Sequence, residues 1–285
     1  MSQFNRSSHL MFFYYSIKTF YAELSGDWKS LKVNAEKFLE IVKTNSRLNC
    51  DPYLGIAYID LSNANLMLAN YKKAIENASP SLKYFRKGSL NELESLEIIF
   101  LASIPLENLP QASKALTRAY RNPNSKPSSD DPGNAYEYER WQVYHAYFLY
   151  KQGEYTRLGR KIKRVKKLVY NSIYWYFSVM LLEIYADLAM GLSPREKIAA
   201  LERQYQREGS EMPRFKLIIK VLNKLDSTGF NFQQAAEKAR EELELLASRE
   251  GSYAFNPWDG EVIPFHHWFR EQCGENVLES RNESH

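Results

Sequence analysis

Glycine, proline and cysteine are scarce in this chain of 285 residues, which contains 12, 11 and 2 of them respectively. Because all-β proteins need frequent tight turns rich in glycine and proline, this scarcity argues against an all-β fold. The two cysteines, Cys50 and Cys273, lie far apart and match no metal-ligand spacing. We therefore expect no disulfide scaffold, and the composition suits a reducing compartment.

Signatures of catalysis and of cofactor binding are also missing. The chain contains no nucleophile elbow, no phosphate-binding P-loop and no dinucleotide-binding glycine motif. Of its five histidines, the adjacent His266 and His267 would point to different sides of a helix or strand, which is a poor geometry for one metal ion. His145 stands among apolar neighbours and is interpreted as a core histidine. We expect a non-catalytic protein without cofactor or metal.

Long uninterrupted hydrophobic runs are absent as well. The most apolar window, residues 171–192, contains Glu183 and Asp187, and its uncharged run is shorter than the ~20 residues of a membrane span. The first 24 residues lack the basic start and the cleavage site of a signal peptide, and they predict a first helix instead. We expect a soluble cytoplasmic protein that does not enter a membrane.

What the sequence does contain is a repeated unit, in which a short turn joins two amphipathic stretches. Equivalent turn positions are Gly26, Ala69, Glu107, Gly153 and Gly191. Their spacings of 43, 38, 46 and 38 residues predict a sixth turn at Gly229, another 38 residues along the chain. A single hairpin would leave an apolar face in water, so units of this kind are stable only when they stack.

One of these units carries a recognisable motif. Residues 60–85 contain apolar or small side chains on both sides of the turn at Ala69, namely Leu61, Tyr71, Ala74, Ala78 and Leu82, and these match positions of a known repeat. The unit resembles the tetratricopeptide repeat, although the spacings here exceed the 34 residues of that family. The resemblance implies an all-α, right-handed superhelical array of about six antiparallel helical hairpins over residues 10–250. It further implies a protein-interaction scaffold that binds a peptide or partner segment on its concave surface.

In such an array the first helix of each hairpin lines the concave surface. The fourth hairpin opens with residues 136–150, of which seven are aromatic. Tyrosine suits a binding surface because its ring is large and its tip is polar, but rings of this kind also pack between helices. The partner-binding residues that the resemblance implies are Asn63, Arg140, Val143, Tyr147, Tyr185 and Asn223.

The second helix of the fourth hairpin is strongly basic, with seven Lys or Arg between residues 157 and 167. The predicted buried stripe consists of Leu158, Ile162, Val165 and Val169. The predicted basic patch comprises Arg157, Arg160, Lys161, Lys163, Arg164 and Lys167. Such a patch is typical of contacts with nucleic acid, lipid headgroups or an acidic partner, and equally of a solvated helix face. A regulatory sensor that contacts nucleic acid or an acidic partner through residues 157–167 is therefore the alternative function.

Two segments interrupt the pattern. Residues 121–135 contain three prolines and no apolar periodicity, which predicts an exposed loop. Residues 251–285 form an aromatic C-terminal segment, in which Trp258, Phe265 and Trp268 are predicted to fold back as a strap over the last hairpins. A docking motif for a partner is the alternative for this segment. Residues 265–272 are expected to form a final helical turn.

Overall fold

A computed structural model describes residues 3–126, 133–208, 212–250 and 265–274 of the chain. Over these ranges the protein is all-α and contains no β-strand. The helices are α1 (Gln3–Leu24), α2 (Trp28–Thr44), α3 (Asp51–Met67), α4 (Tyr71–Tyr84), α5 (Leu90–Ser103), α6 (Leu109–Arg121), α7 (Gly133–Lys151), α8 (Tyr155–Leu168), α9 (Ile173–Ala189), α10 (Arg195–Glu208), α11 (Pro213–Ser227), α12 (Phe232–Lys238), α13 (Arg240–Glu250) and α14 (Phe265–Gln272), with one 3-10 helix at Pro123–Ser125.

All six predicted turns are confirmed, and each one closes its helix in the same way. The six turn residues, Gly26, Ala69, Glu107, Gly153, Gly191 and Gly229, all have positive φ angles, between 55° and 70°. At every turn the amide of the following residue donates to a carbonyl five residues back, over 2.8–3.0 Å. The amide of the turn residue itself donates to a carbonyl three residues back, over 3.0–3.1 Å. These two bonds define the Schellman motif, which pairs carbonyl groups that the helix end leaves without partners.

The chain forms two compact units, residues 1–141 and 142–285, and the boundary falls within α7. In the first unit, α1 to α6 pack against one another in chain order, and α3 also contacts α5. Small side chains on α4 and α6, namely Ala74, Ala78, Ala112 and Ala119, are fully buried.

The second unit also contains consecutive packed helices. Among its described residues, α8 packs on α9, α9 on α10 and α10 on α11, while α11 contacts both α12 and α13. None of the described helices combines the length and the hydrophobicity that a membrane span requires.

The predicted exposed loop at 121–135 is exposed only in part of its described residues. Arg121, Pro123 and Lys126 are exposed, whereas Asn122 and Ser125 are buried. The Asn122 amide donates to the Ser89 carbonyl and to the Glu92 carboxylate, each over 3.0 Å. Residues 133–135 already belong to α7, and residues 127–132 lie outside the described part of the chain.

Two exposed glycines six residues apart provide a matched test of the turn geometry. Gly153 has φ +70° in a turn, whereas Gly159 lies inside α8, and a Cβ atom at either position meets nothing within 4 Å. We expect Gly153→Ala to lower the free energy of unfolding by about 1 kcal/mol, because a left-handed conformation strains an L-residue. Gly159→Ala should raise it by about 1 kcal/mol through helix propensity. Urea denaturation measures both, and changes of equal sign would contradict the assignment.

Candidate partner-binding sites

The basic helix α8 has the predicted division into a buried and an exposed side. Leu158, Ile162, Val165 and Val169 are all buried, which confirms the stripe. Five of the six predicted patch residues are exposed, and only Lys161 is half-buried. Because the apolar stripe anchors one side of α8, the cations on the other side are held at helical spacing rather than on a loose segment.

A pocket of about 360 Å³ lies between α7 and α8. His145 and Leu149, which are one turn apart on α7, form its less polar side. The remaining lining residues come from α8 and are Arg157, Arg160, Lys161 and Arg164. The pocket lining therefore contains four basic side chains and no carboxylate.

The charges around the pocket are only partly neutralised. Arg157 forms an ion pair with Glu154. Lys161 donates to the Gln142 side chain, which is uncharged, and burial together with the neighbouring Arg164 lowers the pKa of Lys161 to about 8. Within the described ranges, no carboxylate pairs with Arg160 or Arg164. The pocket thus has at least two arginines available to an anion.

His145 was interpreted from sequence as a core histidine, and the structure places it at the pocket instead. Its side chain is half-buried and lines the cavity. Burial, and then the positive charges of Lys161 and Arg157, lower the pKa of His145 to about 4. At neutral pH the imidazole is therefore uncharged and offers a hydrogen bond rather than a positive charge. Sequence reasoning missed His145 and Leu149 as pocket residues, because nothing in their spacing identifies the groove beside α8.

Three of the six residues predicted for a concave binding surface are in the interior. Val143, Tyr147 and Tyr185 are buried, so in this structure they do not form an accessible surface. Within the aromatic stretch, the burial of Tyr147 agrees with the alternative interpretation, in which the rings pack between helices. Tyr144 shows the same behaviour, since it is buried edge-on against Trp175 of α9.

Asn63 and Arg140 instead contact carboxylate groups in the first unit. The Asn63 amide donates to Glu23 over 2.9 Å. Arg140 forms ion pairs with Glu97 at 2.7 Å and with Glu137 at 3.6 Å. These residues come from α1, α3, α5 and α7, which are the first helices of four consecutive hairpins. Asn223 is separate from this group: it lies exposed on α11 and donates to Glu202 of α10 over 3.3 Å.

Two further carboxyl groups in this region carry strongly shifted pKa values. Burial, and then the nearby negative charge of Glu23, raise the pKa of Asp60 to about 7. Burial, and then Glu97, Asp60 and Glu23, raise the pKa of Glu94 to about 8, and Arg140 opposes this only weakly. Both side chains keep a small exposed area, but protein atoms surround their carboxyl groups. The sequence offers no sign of this grouping, because its members lie up to about a hundred residues apart.

The C-terminal aromatic segment folds back onto the protein, as predicted, over the part that is described. Phe265 and Trp268 lie in α14 and are fully buried. The Trp268 ring stacks on Tyr185 with a centroid distance of 3.9 Å, and its Nε1 donates to the Tyr150 hydroxyl over 3.0 Å. The predicted strap residue Trp258 lies outside the described residues. Here a predicted surface residue, Tyr185, and two predicted strap residues form one aromatic cluster.

Comparison with known proteins identifies no relative: no family model, curated protein or solved structure matches this chain. Among the described residues there is also no group of three or more His, Cys, Asp or Glu side chains placed to hold a metal ion. Any function must therefore be argued from the surfaces themselves.

The aromatic cluster under α14 predicts a large contribution of Trp268 to stability. Trp268→Ala should lower the free energy of unfolding of the second unit by about 3 to 5 kcal/mol, because removing the indole ring leaves a cavity among buried side chains. Gln272→Ala, an exposed change on the same helix, should alter it by less than about 0.5 kcal/mol. Chemical denaturation followed by circular dichroism compares the two variants, and equal stabilities would show that α14 is not held in place by Trp268.

The raised pKa values of Asp60 and Glu94 predict that the stability of the protein depends on pH. A carboxyl whose pKa is higher in the folded than in the unfolded protein binds protons preferentially in the folded state, so stability falls as pH rises. For Glu94 this fall extends from about pH 4.5 to about pH 8. Glu94→Gln should therefore raise the melting temperature by several degrees at pH 8 and change it little near pH 5. The exposed Glu76→Gln serves as the control, and an equal shift at both pH values would contradict the buried carboxylate.

Proposed function

We propose that this protein is a non-catalytic interaction module that binds an acidic segment of a partner protein at the pocket between α7 and α8. In this proposal the six hairpins form a tetratricopeptide-like scaffold that holds the pocket in shape. We place the partner contact at the basic patch instead of the expected concave residues, because Val143, Tyr147 and Tyr185 are buried. Binding is reversible and involves no chemical step.

The observation that carries the proposal is the imbalance of charge in the pocket. Arg160 and Arg164 are one helical turn apart, line the same cavity and have no carboxylate partner within the described ranges. An arginine side chain presents a planar fork of donors that matches a carboxylate in two parallel hydrogen bonds. Two such forks at this separation suit two neighbouring acidic side chains on one extended segment.

The pocket also contains apolar and polar groups that suit the other parts of such a segment. Leu149 is buried beside the cations and offers apolar contact, while the uncharged His145 adds a polar group without further positive charge. Lys161 is half-buried, and a bound carboxylate would raise its lowered pKa and stabilise its charged form. The three features together favour a ligand with both acidic and apolar parts, which describes a polypeptide.

Nucleic acid is the second candidate, since the exposed Lys163 and Lys167 extend the positive charge of α8 beyond the pocket. However, no Phe, Tyr or Trp side chain lines the pocket. Single-stranded nucleic acid is usually bound by aromatic rings on which the bases stack, in addition to a basic groove. The polypeptide therefore fits the described side chains better.

Two double variants with equal charge change test the proposal. Arg160→Gln/Arg164→Gln removes two cations from the pocket, and Lys163→Gln/Lys167→Gln removes two from outside it. Fluorescence anisotropy measures binding of a labelled peptide with four consecutive glutamates and one flanking leucine. We expect the pocket variant to lose about tenfold or more in affinity, since charge-assisted hydrogen bonds are lost, and the control less than about threefold.

A peptide in which glutamine replaces the glutamates, and a single-stranded RNA of the same length, complete the comparison. The glutamine peptide should not bind, and the affinity of the glutamate peptide should fall as ionic strength rises. Equal losses in both double variants would contradict a defined pocket. Tight RNA binding without peptide binding would establish the second candidate instead.

A further inference from the structure

The first helix, α1, is apolar on two sides, although only one side is covered. On the covered side, Phe12 and Ala22 are buried, and Phe12 belongs to the core that α2 and α3 share. On the other side Leu10, Phe13, Ile17, Phe20, Tyr21 and Leu24 are each 61–72% exposed. A surface helix of a globular protein normally turns a polar side towards water. This exposed apolar side is called the α1 stripe below, and it also includes the partly exposed Tyr14.

The size of the α1 stripe is that of a protein interface. Its large side chains, each with roughly 150 to 200 Å² of surface, together expose on the order of 700 Å². The largest apolar patch on a typical monomer measures about 300 to 600 Å². A stable dimer of standard size buries about 800 Å² on each partner. The α1 stripe therefore exceeds what a monomer usually exposes and comes close to what one half of a dimer needs.

The order of residues along the α1 stripe is symmetric about its centre. The order is Leu10, Phe13, Tyr14, Ile17, Phe20, Tyr21, Leu24. Leu10 and Leu24 lie at equal distances from Ile17 along the chain. The same holds for Phe13 and Tyr21, and for Tyr14 and Phe20. A two-fold axis through Ile17 brings residue i of one copy against residue j of the other, and the reverse, so with this order leucine meets leucine and phenylalanine meets tyrosine.

We propose that the α1 stripe pairs antiparallel with the α1 stripe of a second copy of this chain, with Ile17 at the two-fold axis. In that arrangement the leucines at the two ends contact each other, and each phenylalanine lies against a tyrosine. No charged residue belongs to the stripe, so the stripe itself brings no charged side chain into the interface. Lys18 lies beside the stripe, with its Nζ 4.7 Å from the centre of the Tyr14 ring.

A charge at the centre of the α1 stripe tests the pairing. Ile17→Glu would place two carboxylates side by side in an apolar interface, so dimerisation should weaken at least about 100-fold. Val33→Glu is the matched control, because Val33 is a similarly exposed apolar residue on α2 and lies outside the stripe. Sedimentation equilibrium of the full chain over a range of concentrations should show a dimer for the natural chain and for Val33→Glu, and a monomer for Ile17→Glu.

Disulfide cross-linking tests the antiparallel direction separately. In a background of Cys50→Ser and Cys273→Ser, Ile17→Cys should cross-link to itself at the axis. Leu24→Cys alone should not, because its two copies would lie roughly 20 Å apart at 1.5 Å of rise per residue. A mixture of Leu10→Cys chains with Leu24→Cys chains should form the mixed disulfide. Self-linking of Leu24→Cys would overturn the antiparallel arrangement.

A natural chain that remains monomeric at about 100 µM would overturn the proposal, as would a dimer that Ile17→Glu leaves intact. A monomer that binds phosphatidylcholine vesicles through the stripe would assign this surface to a bilayer instead. The pocket variants Arg160→Gln/Arg164→Gln should leave the dimer unchanged. Failure of self-association and failure of acidic-peptide binding are therefore distinguishable.

Discussion

The six left-handed turn residues are the constraint on which the rest of this structure depends. Each one ends a helix with the same pair of backbone hydrogen bonds, and it reverses the chain within a few residues. In the first unit, the two helices on either side of such a turn pack against each other. Glycine occupies four of these positions, where a positive φ is accessible without steric cost. At Ala69 and Glu107 a non-glycine residue adopts the same left-handed conformation, and the same two backbone hydrogen bonds close the turn.

The charges of the protein follow from the way in which hairpins place their helices. In the first unit, first helices bring carboxylates together, and burial, followed by the local excess of negative charge, raises the pKa of Asp60 and Glu94. In the second unit, α8 concentrates cations beside α7, and the local excess of positive charge contributes to the low pKa of His145 and Lys161. In each unit, the repulsion between like charges raises the electrostatic free energy, and a ligand of opposite charge would lower it. The proposed acidic partner is the ligand that fits the basic pocket.

Aromatic residues occupy two different environments in this chain, one buried and one exposed to water. Trp268 and Phe265 cover Tyr185, which turns a residue expected on a surface into part of the core. The aromatic side chains of the α1 stripe have no such cover among the described residues and remain in contact with water. Composition alone does not separate these cases, because both segments combine phenylalanine with tyrosine or tryptophan. What separates them is whether another element of the same unit packs against the rings.

The sequence by itself determined the features that depend on neighbouring residues along the chain. The all-α class, the positions of the six predicted turns, the buried stripe of α8 and the final helix at residues 265–272 follow from local spacing and turn chemistry. Only the tertiary structure decided which side chains from distant segments meet, such as Trp268 with Tyr185, or Lys161 with Gln142. The reason is physical: a helical period states which side of a helix is apolar, but burial and pKa depend on what the other helices place against that side.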